Sequence, residues 1–298
     1  MVRQYKIHTN LDGTDDKVWD VTNGKVRFYQ PSNLGLQSTN NIWQSNGIGI
    51  MGTRSITQPQ IEFKLETFGE SLEENYRLMK DFINDILNKK FVTLEYQTEI
   101  FQVYADLSLA EVTKTEGYGK NGTFSEKITF DVITKWYTYE NLTFEKIQNG
   151  QVLSGKSKIY GGTAPGSYKY VEGISYTYYG ETNIERLSRW DIKDEIFSFM
   201  GILYPQLPKT PAGVRFLDDI GNEYTAIVFK TEQVQNYILI NTDVNDETYQ
   251  GWNGTTSLNL FPVMDFERYR TRIIKRGQME LINLTKAEFK IKRKAEFV

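Results

Sequence analysis

Along most of the chain apolar and polar residues alternate with period two, the signature of half-buried antiparallel strands. Ile61, Phe63 and Leu65 alternate with Glu62, Lys64 and Glu66. Phe101, Val103, Ala105, Leu107 and Leu109 repeat the pattern, as do Ile128, Phe130 and Val132 against Lys127, Thr129 and Asp131. The last strand is the clearest. Ala287, Phe289, Ile291, Ala295 and Phe297 share one side; Lys286, Glu288, Lys290, Lys292, Lys294 and Glu296 share the other. Arg293 interrupts the apolar side, which predicts a place near the sheet's rim. A spacing of three and four occurs clearly once, over 71–90, where Leu72, Tyr76, Met79, Phe82, Ile83, Ile86 and Leu87 form one stripe. Ser71 followed by Glu74 predicts a capping box, and Lys89 and Lys90 sit where a helix dipole favours positive charge. The pattern predicts one helix packed on sheet.

Residues 30–60 follow neither period. Asn, Gln, Ser, Thr and Gly dominate, with Trp43 and Ile48-Gly49-Ile50-Met51 as isolated apolar anchors and Pro31 and Pro59 near the ends. A structureless loop of about 30 residues is uncommon inside a compact domain, so the segment is either disordered or ordered by something it lies against. The anchors favour an extended arm on a neighbouring subunit, with Trp43, Ile48, Ile50 and Arg54 as contact residues. A domain boundary is expected near Lys135-Trp136-Tyr137-Thr138-Tyr139, dividing the chain into 1–135 and 136–298. Within the second unit, 148–166 is rich in Gly, Ser and Lys and leads into Tyr168, Tyr170, Tyr176, Tyr178 and Tyr179. The spacing of Tyr168/Tyr170 and Tyr176/Tyr178 about Glu172-Gly173 predicts a hairpin. It is either two strands with tyrosines on one face or a projecting hairpin that offers aromatic surface to a partner. Pro205, Pro208 and Pro211 with Gly213 predict another loop.

Composition narrows the chemistry. The 298 residues are 39% hydrophobic and 24% charged, enough for a sizeable core and a soluble surface. Lys and Arg total 35 against 38 Asp and Glu, and the net charge of -3 gives no global bias toward nucleic acid or anionic lipid. There is no cysteine, which removes disulfides, thiolate catalysis and Cys-ligated metals, and His8 is the only histidine. Most triad chemistry and most transition-metal sites go with them. The N-terminus lacks the run of about 7–15 apolar residues of a secretory signal, and no stretch approaches the roughly 20 needed to span a bilayer. The expectation is synthesis in a cytoplasm, followed by residence there or in an assembly that leaves by another route. Sequons at Asn121, Asn141, Asn253 and Asn283 carry little weight without a secretory route.

Individual motifs add no catalytic centre. Gly117-Tyr118-Gly119-Lys120-Asn121-Gly122 matches G-x-G-x-x-G, but Phe124 onward alternates as a strand where a dinucleotide site needs a helix. Asp12-Gly13-Thr14-Asp15-Asp16 lacks ordered ligand spacing. Asp243, Asn245 and Glu247 imitate the start of an EF-hand loop, but Thr248 and Gly254 stand where Gly and Glu are required. Both runs read as solvated loops. Asp218, Asp219, Glu223 and Glu267 are carboxylates that no spacing singles out as a glycosidase pair, and the sugar-binding elements of galectins are absent. Arg268, Arg270, Arg272, Lys275, Arg276 and 286–294 form a basic cluster interleaved with glutamates, which reads as a charged solvent face that resists edge-to-edge aggregation. An interaction protein explains this profile better than an enzyme. A carbohydrate-binding module or glycosidase acting on cell-wall polysaccharide is the second reading, and a single-strand nucleic-acid binder using the basic strands and tyrosines the third.

The whole chain also resembles the distal tail proteins found in baseplates of lactococcal siphophages. The resemblance rests on an ordered series: the polar segment 30–60, the helix 71–90, strands 91–96 and 101–112, and the junction Phe130-Asp131-Val132-Ile133-Thr134-Lys135-Trp136-Tyr137. It implies a mainly β protein, with an N-terminal β-sandwich-like domain carrying one α-helix and an extended belt, here 30–60. It also implies a C-terminal galectin-like β-sandwich that does not serve as a lectin. The implied role is a hexameric ring in the virion's tail-tip baseplate, non-enzymatic and without cofactor, metal or membrane insertion. Such a ring joins the tail tube of major tail protein to the tail-associated lysin or tail-tip hub and lets DNA through in transit. An arm-and-hand extension grips receptor-binding-protein trimers; it is placed at 148–180, with Tyr168, Tyr170, Tyr176 and Tyr178 as docking residues and 204–221 as the rival location.

Overall fold

The computed structural model describes residues 3–13, 15–114, 122–148, 151–152, 161–164, 167–169, 178–181, 189–192, 196–206, 210–230 and 236–295. The chain forms two compact units, Met1–Thr138 with Ala295–Val298, and Tyr139–Lys294.

The first unit contains β1 (Gln4–His8), β2 (Val18–Asp20), β3 (Val26–Ser32), β4 (Gln37–Ser45), β5 (Ile48–Thr57), β6 (Ile61–Thr67), α1 (Leu72–Leu87), β7 (Val92–Gln97), β8 (Gln102–Thr113) and β9 (Ser125–Val132). All its strands but β4 and β5 join one antiparallel sheet in the order β2-β1-β7-β8-β9-β6-β3. Strand β8 pairs β7 up to Leu107 and β9 from Leu107 onward, and its Tyr104 also pairs Tyr137. The sheet curls, so Tyr5 of β1 meets Phe63 of β6 at 5.4 Å although three strands separate them in the ladder. Alternation decides the faces: Ile61, Phe63 and Leu65 are buried while Glu62, Lys64 and Glu66 are not. Helix α1 closes the open end through Phe82, which meets Trp19 of β2 and Phe28 of β3 at 5.2 and 5.8 Å.

The Ser71 hydroxyl accepts the Glu74 amide at 3.2 Å. The Glu74 carboxylate accepts the Glu70 amide at 2.7 Å rather than that of Ser71. The helix ends at Leu87 with Asn88 as its cap, short of Lys90, because Val92 must already enter the core as the first residue of β7. Lys89 therefore lies past the last turn and pairs with Asp15 at 3.0 Å. The glycine-rich run falls in the connection between β8 and β9, an antiparallel strand pair, so a strand follows it as the alternation requires; its residues 117–121 lie outside the described residues.

Strand β10 (Tyr137–Gln148) leads into the second unit. There follow β11 (Gln151–Val152), β12 (Gly161–Ala164), β13 (Ser167–Lys169), β14 (Tyr178–Glu181), β15 (Arg189–Ile192), β16 (Ile196–Pro205), β17 (Ala212–Leu217), β18 (Glu223–Phe229), β19 (Tyr237–Asn241), β20 (Thr248–Trp252), β21 (Ser257–Asn259), β22 (Gly277–Ile282) and β23 (Leu284–Lys294). Sheets β10-β23-β16-β19-β20-β21 and β15-β22-β17-β18 face each other as a β-sandwich. Their shared core includes Leu203, Ile240 and Phe289, and Phe199 of one sheet meets Phe216 of the other at 5.9 Å. Gly213 belongs to β17 rather than to a loop. A Cβ there would lie 2.0 Å from the Ile227 carbonyl oxygen of β18, so close strand approach requires the glycine.

Two charge expectations change. Lys292, expected on the solvent side of the last strand, is buried and lies 2.8 Å from Asp243, which is buried too. The register of β23 against β16 slips between Ile196 and Ser198, next to this pair. Asp243 is thus not solvated but pairs a buried lysine ammonium, whereas Val244 and Asp246 after it are exposed as a solvated loop requires. Residues 268–276 are turns and irregular chain instead of strand. Two of their cations are neutralised at close range, with Arg268 bidentate on Glu223 at 2.7 and 2.6 Å and Arg272 on Glu247 at 2.8 Å. Among the described residues no helix is long and apolar enough to cross a membrane.

Candidate functional site

Strands β4 and β5 form a two-stranded sheet of their own, and every residue of both is exposed. The segment expected to be an extended arm is a two-stranded antiparallel hairpin. Asn46 and Gly47 turn it with φ of 49° and 78°, the positive pair that a type I′ turn needs and that Asn-Gly adopts most readily. That dipeptide was a usable sequence signal, hidden by the polar composition around it.

The root of the hairpin is fixed. Leu34 packs on the core of the first unit, and the Trp136 indole N–H donates to its carbonyl at 3.0 Å. The Gln58 side-chain amide lies 3.2–3.3 Å from the carbonyl oxygens of Asn33, Leu34 and Gly35, and Gln60 donates to Asp131 at 2.8 Å. Neither Gln58 nor Trp136 stood out in sequence as part of a site.

Residues opposite one another in an antiparallel ladder share a face. Trp43–Ile50 and Ser45–Ile48 make one face, whereas Ile42–Met51 lies on the other. A register shift between Asn40 and Ile42 follows, after which Asn40–Arg54 and Ser38–Ile56 continue that second face. Of the four expected contact residues, Trp43, Ile48 and Ile50 come together and Arg54 points away from them. Arg54 donates to Asn40 at 3.0 Å and is the only charged residue between 37 and 57. Ile42, Met51 and Ile56 give its face an apolar character as well; all three are about half exposed.

The tyrosine hairpin is arranged differently from expectation. Tyr168 lies on β13, which pairs with β12, and Tyr178 lies on β14, which pairs with β10 opposite Ile147. The two strands are therefore not each other's partners among the described residues. Gly161–Ala164 offers β13 a nearer strand, and the extension of β10 to Gln148 offers β14 another. Tyr170 and Tyr176 lie outside the described residues. In the rival stretch 204–221 the described residues are the end of β16, β17 and the turn at Asp218, whose carboxylate accepts the amides of Ile220 and Asn222.

The acid–base inventory is that of ion pairs. Glu223 is held below the ordinary carboxylate range by its bond to Arg268, against the opposing effect of desolvation; a glycosidase general acid requires the reverse. An open depression of about 300 Å³ in the second unit is lined by Met200, Ile202, Leu239, Asn141, Glu288 and Lys290. Its charged groups are engaged, Glu288 with Lys286 and Lys290 over the Tyr139 ring. Among the described residues no group of three or more His, Asp or Glu is placed to hold a metal ion.

The family model for the distal tail protein N-terminal domain matches residues 4–133, and that for the Dit C-terminal domain matches 135–298. The chain is 91% identical to the distal tail protein of Lactococcus phage p2 and 90% identical to that of Lactococcus phage SK1, each over 100% of both chains. It is similar to a chain in the phage p2 baseplate solved in its activated conformation with Ca, at a TM-score of 0.81, 91% identity and full coverage of both chains. The SPP1 Dit crystal structure shares the fold at a TM-score of 0.53 and 12% identity, over 98% of this chain and 99% of that one. With models of both domains matching and relatives matching end to end, the chain belongs to the distal tail protein family.

Proposed function

We propose that this protein is a non-enzymatic structural connector of the phage tail-tip baseplate, in which six copies close into a ring through the β4–β5 hairpin. The ring joins the tail tube of major tail protein to the tail-associated lysin or tail-tip hub and leaves a channel for DNA in transit. The C-terminal unit carries receptor-binding-protein trimers through 148–180, with Tyr168, Tyr170, Tyr176 and Tyr178 as docking groups.

The observation that carries this reading is the hairpin. A two-stranded hairpin alone is marginally stable in water, and this one bears large exposed apolar side chains on both faces with a single charge. Such an element is stabilised when protein covers both faces. In a cyclic ring each copy offers one surface forward and a different one backward, so a projecting hairpin reaching the next copy supplies that head-to-tail contact. The net charge of -3 suits a conduit that should not retain phosphate.

Replacing 37–57 by a short glycine linker tests the ring. Light scattering should then show a single chain whose two units unfold as in the parent. Normal rings from that variant would contradict the assignment of Trp43, Ile48, Ile50 and Arg54 to the interface. Deleting 148–180 should spare the ring and abolish capture of receptor-binding protein; retained capture would move the docking site, with 204–221 next in line.

A further inference from the structure

His8, the single histidine, is 7% exposed and ends β1, opposite Val18 of β2 and Thr93 of β7. Its Nδ1 is 2.6 Å from Asp16 Oδ2, and its Nε2 is 2.8 Å from Glu95 Oε2. Ionised carboxylate oxygens can only accept, so both ring nitrogens must carry hydrogen and the ring is an imidazolium. A neutral imidazole has one N–H, and its other nitrogen would direct a lone pair at a carboxylate.

The surrounding charges determine which bond fails on deprotonation. Lys6 of β1 lies 2.9 Å from Glu95, whose side chain is 5% exposed, so Glu95 keeps a cation. Asp16 is more exposed, at 19%, and its other oxygen accepts a neutral donor, the Asn10 amide at 2.9 Å. From the loop after β1, Asp15 faces Lys89 and Lys17 faces Asp85 of α1, at 3.0 and 2.5 Å. From β8, Asp106 is turned to Thr93 and Tyr137. Tyr104 stays protonated, pushed up to about 12 by burial and then by Glu95 and Asp12. None of these replaces the imidazolium at Asp16.

We propose that His8 is a protonated latch: its cation clamps the 9–17 loop to the first unit, and loss of its proton frees the loop at the Asp16 end. Desolvation disfavours the cation, but the hydrogen bonds and charges of Glu95 and Asp16 outweigh it and raise the pKa above the ordinary 6.5. A raised folded-state pKa means that the latch is fully closed below 6.5 and opens as pH rises through the folded value. The latch depends on no ring contact, so it stands or falls apart from the proposed assembly.

The full chain supplies its own probe, because its one imidazole gives one set of NMR signals. Its titration, followed with the hydrogen-exchange protection of the Asn10 amide from about pH 5.5 to 9.5, tests the latch directly. The imidazole midpoint should lie above 6.5, and Asn10 protection should drop about tenfold across that same midpoint, the loss of one charge-assisted hydrogen bond. Asp16→Asn should lower the midpoint, and His8→Gln should leave Asn10 protection low and independent of pH. A histidine that titrates at or below 6.5, or Asn10 protection that stays constant through the transition, overturns the proposal. The wild-type measurement decides the matter even if a variant fails to fold.

Discussion

Trp43 leaves 62% of its surface in water and Ile48 leaves 68%, so each retains most of its transfer free energy for a docked state. Full burial of such a side chain is worth about 1.5–3 kcal/mol, and the unburied share here about 1–2. Trp43→Ser or Ile48→Ser should therefore weaken each subunit contact about tenfold in sedimentation while the melting of the separate chain stays unchanged. A core residue behaves oppositely. Phe82 is fully buried between Trp19 and Phe28, and Phe82→Ala should cost about 3–5 kcal/mol in denaturant unfolding. Glu95 gives a pH signature of its own. The His8 bond, with help from Lys6 and against desolvation, holds its carboxyl down to about 2. Its stabilising contribution is thus present above the ordinary 4.5 and should fade as pH falls toward 2, readable as a lowered Tm in acid.

At the scale of elements, period and capping made the ordinary parts legible. Ile61, Phe63 and Leu65 face the core as their alternation requires, and Ser71 caps the one helix. The hairpin was harder to read because alternation reports a single buried face, and β4–β5 has none. Gly52 and Thr53 oppose the single Asn41 at its register shift, and that extra residue of β5 moves Arg54 to the side of Met51 and Ile56. Lys292 and Asp243 lie 49 positions apart, so only the folded sheets reveal that one neutralises the other. The partners of β13 and β14 were hidden for a similar reason: tyrosine spacing is compatible with any strand on either side. The Asn46-Gly47 turn yields a prediction at this scale. Gly47→Val places a β-branched residue at φ 78°, so it should disorder the hairpin and weaken assembly, while both units unfold as before.

For the whole molecule, two separately cored β-rich units and one exposed two-faced hairpin describe a part of a larger machine. Catalytic groups are scarce in composition, and of the carboxylates that drew attention in sequence Glu223 and Asp243 are taken up by Arg268 and Lys292. What the chain offers instead is apolar surface that needs a neighbour. Native mass measurement of the purified full chain beside the Trp43→Ser, Ile50→Ser double variant tests this most directly. The full chain of 34.6 kDa should appear as a hexamer of about 208 kDa, or a stack of such rings, and the variant as the single chain. A full chain that remains at 34.6 kDa at every concentration, or a double variant that assembles as well as its parent, would contradict the account.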